Sequence, residues 1–233
     1  MTTTVLTPGS THAAERASGT SRRWQLAGLG AGVAGIGSIV GSSLSGAVYE
    51  DRIAGDAVAI TDRLAEMTSQ IMFFHTATMV SCALLVVFAA GLQRDLRQRL
   101  GSDSLLPQVA SYGLLLTAVA LLMGGALTTE FVFGVADPDQ IVPEVAVFFG
   151  HWIGTVPWLW GGAGLTGLVV AIAALRHRSY SRFVGWTSVV LGGLAALFFV
   201  SPLQYMAGMV GPIWLTIFAL ALLRSRPRVA EES

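Results

Sequence analysis

Six apolar runs follow one another along this chain, each close to or above the about 20 helical residues that cross a bilayer core. They lie at Trp24–Val48, Met67–Leu92, Gln108–Val135, Val145–Leu175, Phe183–Val200 and Gln204–Leu223. With 53% hydrophobic and 12% charged residues, the chain lacks the polar surface a soluble domain of this size needs. The reading is an all-α, polytopic membrane protein: a six-transmembrane-helix bundle over 24–223, with a disordered tail at 1–23 and a second tail at 224–233. Little of the chain remains for any other folded domain.

Charge orients the bundle. All fourteen basic residues are arginine, and twelve sit before span one, after span two, after span four and after span six, that is, on one side of an up-down chain. Arginine collects in cytoplasmic loops, so both termini are expected inside a bacterial plasma membrane. The opposite side holds Arg52 and Arg63 against Glu50, Asp51, Asp56, Asp62, Glu66, Asp137, Asp139 and Glu144. The arginine clusters are short, juxtamembrane and free of interleaved aromatics. They suit anionic membrane lipids, and nucleic acid is not an expected partner. Cys82, the one cysteine, lies within span two and has no internal disulfide partner.

"SRRWQL" at Ser21–Leu26 has the look of a twin-arginine signal, with small residues at Ser45–Ala47. Five further spans follow, so a retained first helix is expected. In that helix Gly28 and Gly32 form one GxxxG pair, and Gly37, Gly41 and Ser45 a second small-residue row. Such rows admit a neighbouring helix, either within the bundle or in a homo-oligomer. Between spans one and two, Ile53, Ala57, Ile60, Leu64 and Met67 recur at alternating steps of four and three, which predicts an outer amphipathic helix N-capped by Asp56.

Three ionisable residues fall at similar depth. Counted at 1.5 Å per residue from the inner boundary, His75 lies roughly 25 Å along span two, Glu130 roughly 30 Å along span three and His151 roughly 36 Å along span four. His75, Thr78 and Cys82 share one helix face, as do His151, Gly154, Thr155 and Trp158. Ionisable groups at such depth normally face the bundle interior and mark a site. Pro157 is expected to bend span four and free a carbonyl for a bond within the bundle.

The expectation is an outward-facing polar pocket at His75, Glu130 and His151, with Thr78 and Thr155 beside them and Trp158, Gln204 and Tyr205 at its rim, taking a lipid-like or small amphipathic ligand. Other readings stay open. His75, Glu130 and His151 are a ligand set suited to a metal, zinc or iron, and the two histidines to a haem, although no HExxH-type spacing joins them. A partly desolvated Glu130 as general acid with a histidine as base would fit an enzyme acting on an isoprenoid or lipid. The same groups, with Thr76, Thr128, Thr129 and Thr155, equally serve as interhelical hydrogen bonds in a structural subunit. Internal repeats and mid-depth charges, the marks of secondary carriers, are not found.

"RFVGW" opening span five and "GPIWLTIFALALLR" closing span six, with Arg182, Gly185, Trp186, Trp214 and Arg224 as the matching residues, resemble uncharacterised six-span integral membrane proteins of actinobacteria. "GDAVAIT" before span two is similar to that group as well. The resemblance implies the same topology and carries over no activity and no site residue.

Overall fold

A computed structural model describes residues 9–135 and 141–225, and among these the chain is helical without a strand. Asp137, Asp139 and most of the C-terminal tail lie outside the described residues. Six helical stretches are long and apolar enough to cross a membrane: Arg22–Leu44, Thr68–Leu100, Leu106–Gly134, Pro143–Leu175, Arg182–Val200 and Gln204–Arg224. The protein is a six-span membrane bundle, with each span within a few residues of its expected place except at the end of span two, which runs on to Leu100.

Span one is α1 (Gly9–Leu44), whose helix reaches back into the segment expected as a tail. Its glycines are used within the chain. A side chain at Gly28 would strike Phe88, one at Gly32 would strike Thr216, and one at Gly41 would strike the Phe74 backbone. The small residues let α1 lie flat against spans two and six, which are its main neighbours.

Two single 3-10 turns (Ala47–Tyr49 and Asp51–Ile53) lead to α2 (Ala57–Glu66), the expected amphipathic helix. Asp56 caps it as predicted, its carboxylate accepting from the Ala59 amide at 3.0 Å. Ile60 and Leu64 are buried, four residues apart on the inward face.

Span two is α3 (Thr68–Leu100), 33 residues and therefore about 50 Å long, more than the ~30 Å core requires. Span three is α4 (Leu106–Ala126) continued, after a break at Leu127, by α5 (Thr128–Val135). Span four is α6 (Pro143–Ile153), a 3-10 turn at Val156–Trp158, and α7 (Gly161–Leu175). Here Pro157 does more than bend the helix, which is interrupted from Gly154 to Trp160. Span five comprises α8 (Arg182–Thr187), a π-helical turn at Ser188–Gly192 and α9 (Gly193–Val200). A 3-10 turn at Gln204–Met206 precedes α10 (Ala207–Arg224), which completes span six.

The breaks leave backbone carbonyls that a low-dielectric interior cannot tolerate unpaired. Pro157 has no amide for the Ile153 carbonyl, and Ser42 of α1 donates to that oxygen at 2.6 Å. Ser42 in turn accepts from the Trp158 indole at 2.9 Å. At the other break the Trp152 indole donates to the Met123 carbonyl at 3.1 Å. The break in span four is thus stitched by a side chain from span one, and the break in span three by a side chain from span four.

The core has two parts. The larger runs through the bundle around Phe88, Leu114, Trp160, Trp214 and Phe218. The smaller lies at the acidic end, where α2, α5 and α6 enclose Leu64, Phe74, Phe131, Phe149 and Ile153. Phe131 and Phe149 stack there with ring centroids 3.7 Å apart. α2 is therefore a packed cap over the bundle and not a slack connector.

Candidate functional site

The expected polar residues do not converge. His75 is half-buried on α3, its Nδ1 turned to Gly125 of α4 and without a hydrogen-bond partner among the described residues. Glu130 is exposed on α5. His151 is exposed on α6, with the Tyr49 ring edge-on to it and centroids 5.6 Å apart. Thr155 is exposed. Among the described residues no three His, Cys, Asp or Glu side chains come together to hold a metal ion. Equal depth along the helices leaves rotation about each helix axis open, and Glu130 and His151 are exposed where His75 is half-buried.

Two of the expected ligand residues are already committed to the fold. Thr78 is fully buried, hydrogen-bonded to Ser38 of α1 at 2.6 Å and donating to its own Phe74 carbonyl at 2.7 Å. Trp158 is held by Ser42. Cys82 donates to the Ala118 carbonyl at 3.2 Å and so joins span two to span three.

A different concavity is present. Between spans three and five lies a cleft of about 170 Å³ lined by Leu116, Ala120, Leu159, Gly161, Gly162, Phe199 and Gln204. Two of its lining residues belong to the run "GGAG" that opens α7. α4 and α9 each pack against α7, which forms the floor between them. Gly162 sits against the Gly113 carbonyl, Gly164 against the Ala196 backbone and Gly167 against Gly192, so α7 is approached closely from both sides. Gly161 lies against the Phe199 ring and Gly162 against Gly113 and Leu116, so a side chain at either position would strike a wall of the cleft. Leu116, Phe199 and Gln204 are exposed, which leaves the cleft open on the flank of the bundle. Of the expected rim residues, Gln204 lines it and supplies its one polar side chain.

The arginine-rich end holds a network that the sequence reading passed over. Tyr180, in the loop before α8, donates to Asp95 Oδ2 at 2.7 Å. Arg99 forks onto the same carboxylate through Nε at 2.7 Å and Nη2 at 3.1 Å, and its Nη1 donates to the Ser179 carbonyl at 2.7 Å. The guanidinium carbon stands 4.8 Å from the centre of the Tyr180 ring. Burial first, then the Asp95 carboxylate, pushes the Tyr180 phenol well above its ordinary range, so it remains a donor. Arg178 just before it has a φ of 52°, a left-handed conformation that the pinned loop holds. The available signal was the Asp95–Arg99 spacing of four on a helix.

At the acidic end Glu50 takes both local arginines, Arg52 at 2.6 Å and Arg63 at 2.9 Å, and Arg63 also reaches Glu66 at 2.7 Å. Hydrogen bonds from Arg63 and then Arg52 hold the Glu50 carboxyl below the usual carboxylate range. This ties the first outer turn to α2. No family model, no curated protein and no solved structure matches this chain.

Proposed function

We propose that the protein holds the apolar part of a lipid-like or amphipathic molecule in the cleft between spans three and five, with both termini in the cytoplasm of a bacterial cell. The orientation is supported by the arginine asymmetry along the chain. The observation that carries the binding reading is an apolar, glycine-floored cleft that opens sideways at the lipid-facing flank. Gly161 lies roughly 21 Å along α7 from Leu175, past the midpoint of a ~30 Å core and so in the outer leaflet.

Size limits what enters. The cleft's volume, about 170 Å³, is near the ~150 Å³ of an apolar cavity that admits a benzene ring. One ring or a short stretch of chain fits, and the remainder of the molecule stays in the bilayer. Burial of apolar surface contributes little here, since lipid tails are as apolar as the cleft walls, and shape complementarity decides occupancy.

The test is photolabelling in lipid nanodiscs with a hexadecyl probe carrying a diazirine in its chain. Crosslinks concentrated at Leu116, Ala120 and Phe199, and lost in Ala120→Phe, support the reading. Crosslinks spread evenly over the lipid-facing helices and indifferent to Ala120→Phe would overturn it.

A further inference from the structure

We infer that the molecule held in this cleft is uncharged and presents a single hydroxyl or carbonyl to Gln204, as a long-chain alcohol or a quinone does, and that phosphate-bearing lipids are excluded; this rests on the reading of the cleft as a ligand site. The walls come from α4, the start of α7, α9 and the turn before α10. No Asp, Glu, Lys, Arg or His occurs between Asp103 and Glu130, between His151 and Arg176, or between Arg182 and Arg224. Every lining residue falls within those three stretches. A phosphate brought to the cleft therefore meets no cation among the lining residues, and an unpaired charge in such surroundings is strongly disfavoured.

The polar chemistry that is present is one carboxamide. Gln204 is exposed at the mouth, and its side chain has no hydrogen bond within the protein among the described residues. An amide offers two donors and one acceptor, so it pairs with a hydroxyl in either sense and with a carbonyl through its NH₂. Ring-sized volume below and one amide above match a neutral head on a hydrocarbon body.

Two probes with the same diazirine-bearing hexadecyl chain separate the possibilities, one ending in a primary alcohol and the other in its phosphate monoester. Labelling at Leu116 and Ala120 is normalised to labelling of the lipid-facing Val33 and Val40 on α1, which cancels differences in partitioning. The alcohol is expected to label the cleft about tenfold more than the phosphate, the equivalent of ~1.4 kcal/mol. Gln204→Leu should lower labelling by the alcohol several-fold while labelling by the phosphate stays low, and Gln204→Lys should raise labelling by the phosphate. Gln204 is exposed in a turn, so both variants should keep the parent melting temperature in detergent. Equal labelling of the cleft by both probes, or a preference for the phosphate, would overturn the neutral-ligand inference while leaving the cleft as a site. Absence of cleft labelling by either probe would remove the site itself.

Discussion

Replacing Tyr180 by Phe deletes one hydroxyl and leaves the ring against Phe218, whose centroid is 5.7 Å away. The lost bond is a 2.7 Å contact to the Asp95 carboxylate. Hydrogen bonds to charged groups contribute about 1.5–3 kcal/mol. The lower end applies, because Asp95 keeps both bonds from Arg99 and Arg99 is 34% exposed, where water screens the ion pair. A loss of ~1.5 kcal/mol corresponds to roughly 3–6 °C in melting temperature for a domain of this size. Asp95→Asn should cost at least as much, since it weakens the bidentate contact as well. The double variant should lose little more than Asp95→Asn alone, because both changes break one network and coupled groups deviate from additivity by ~0.5–3 kcal/mol. Thermal unfolding of the four proteins in one detergent, followed by tryptophan fluorescence, measures the cycle. A Tyr180→Phe protein melting within about 1 °C of the parent, or strictly additive losses, would refute the network as a stabilising unit.

Leu64→Ala opens a hole in the small core under α2 and should cost the cap about 2–5 kcal/mol; limited proteolysis near residues 53–67 should accelerate while the melting of the bundle stays close to the parent. The Glu50 carboxyl has a lowered folded-state pKa, so its tie to Arg63 is fully present above the ordinary carboxylate range and is lost as pH falls through the lowered value. Hydrogen exchange of α2 should therefore rise on acidification in the parent and be high already at neutral pH in Glu50→Gln. Cysteines placed at Ser102 and His177 should resist a membrane-impermeant thiol reagent in intact cells, and one at Asp62 should react; labelling of His177→Cys from outside would reverse the proposed orientation.

What the linear sequence determined is the part of the fold that depends on one element at a time. Span number and place follow from runs of apolar residues, because a bilayer sets a length that a helix must meet. The amphipathic cap is legible for the same reason: Asp56, Ile60 and Leu64 carry a capping group and a period of four within ten residues or so of each other, and the structure has Asp56 on the Ala59 amide and both apolar residues buried. Even the fate of the carbonyl freed by Pro157 could be stated as a need.

Tertiary structure decided who met it. Ser42 reaches the Ile153 carbonyl from a helix 111 positions away in the chain, and no periodicity within α1 distinguishes Ser42 from Ser43. Rotation of each helix about its axis also lay outside the sequence, and it separates the half-buried His75 from the exposed Glu130 and His151. The cleft is lined by residues from positions 116 to 204, brought together by the packing of α4 and α9 against α7. No periodicity within one helix encodes that meeting, which exists only once three helices have been packed side by side.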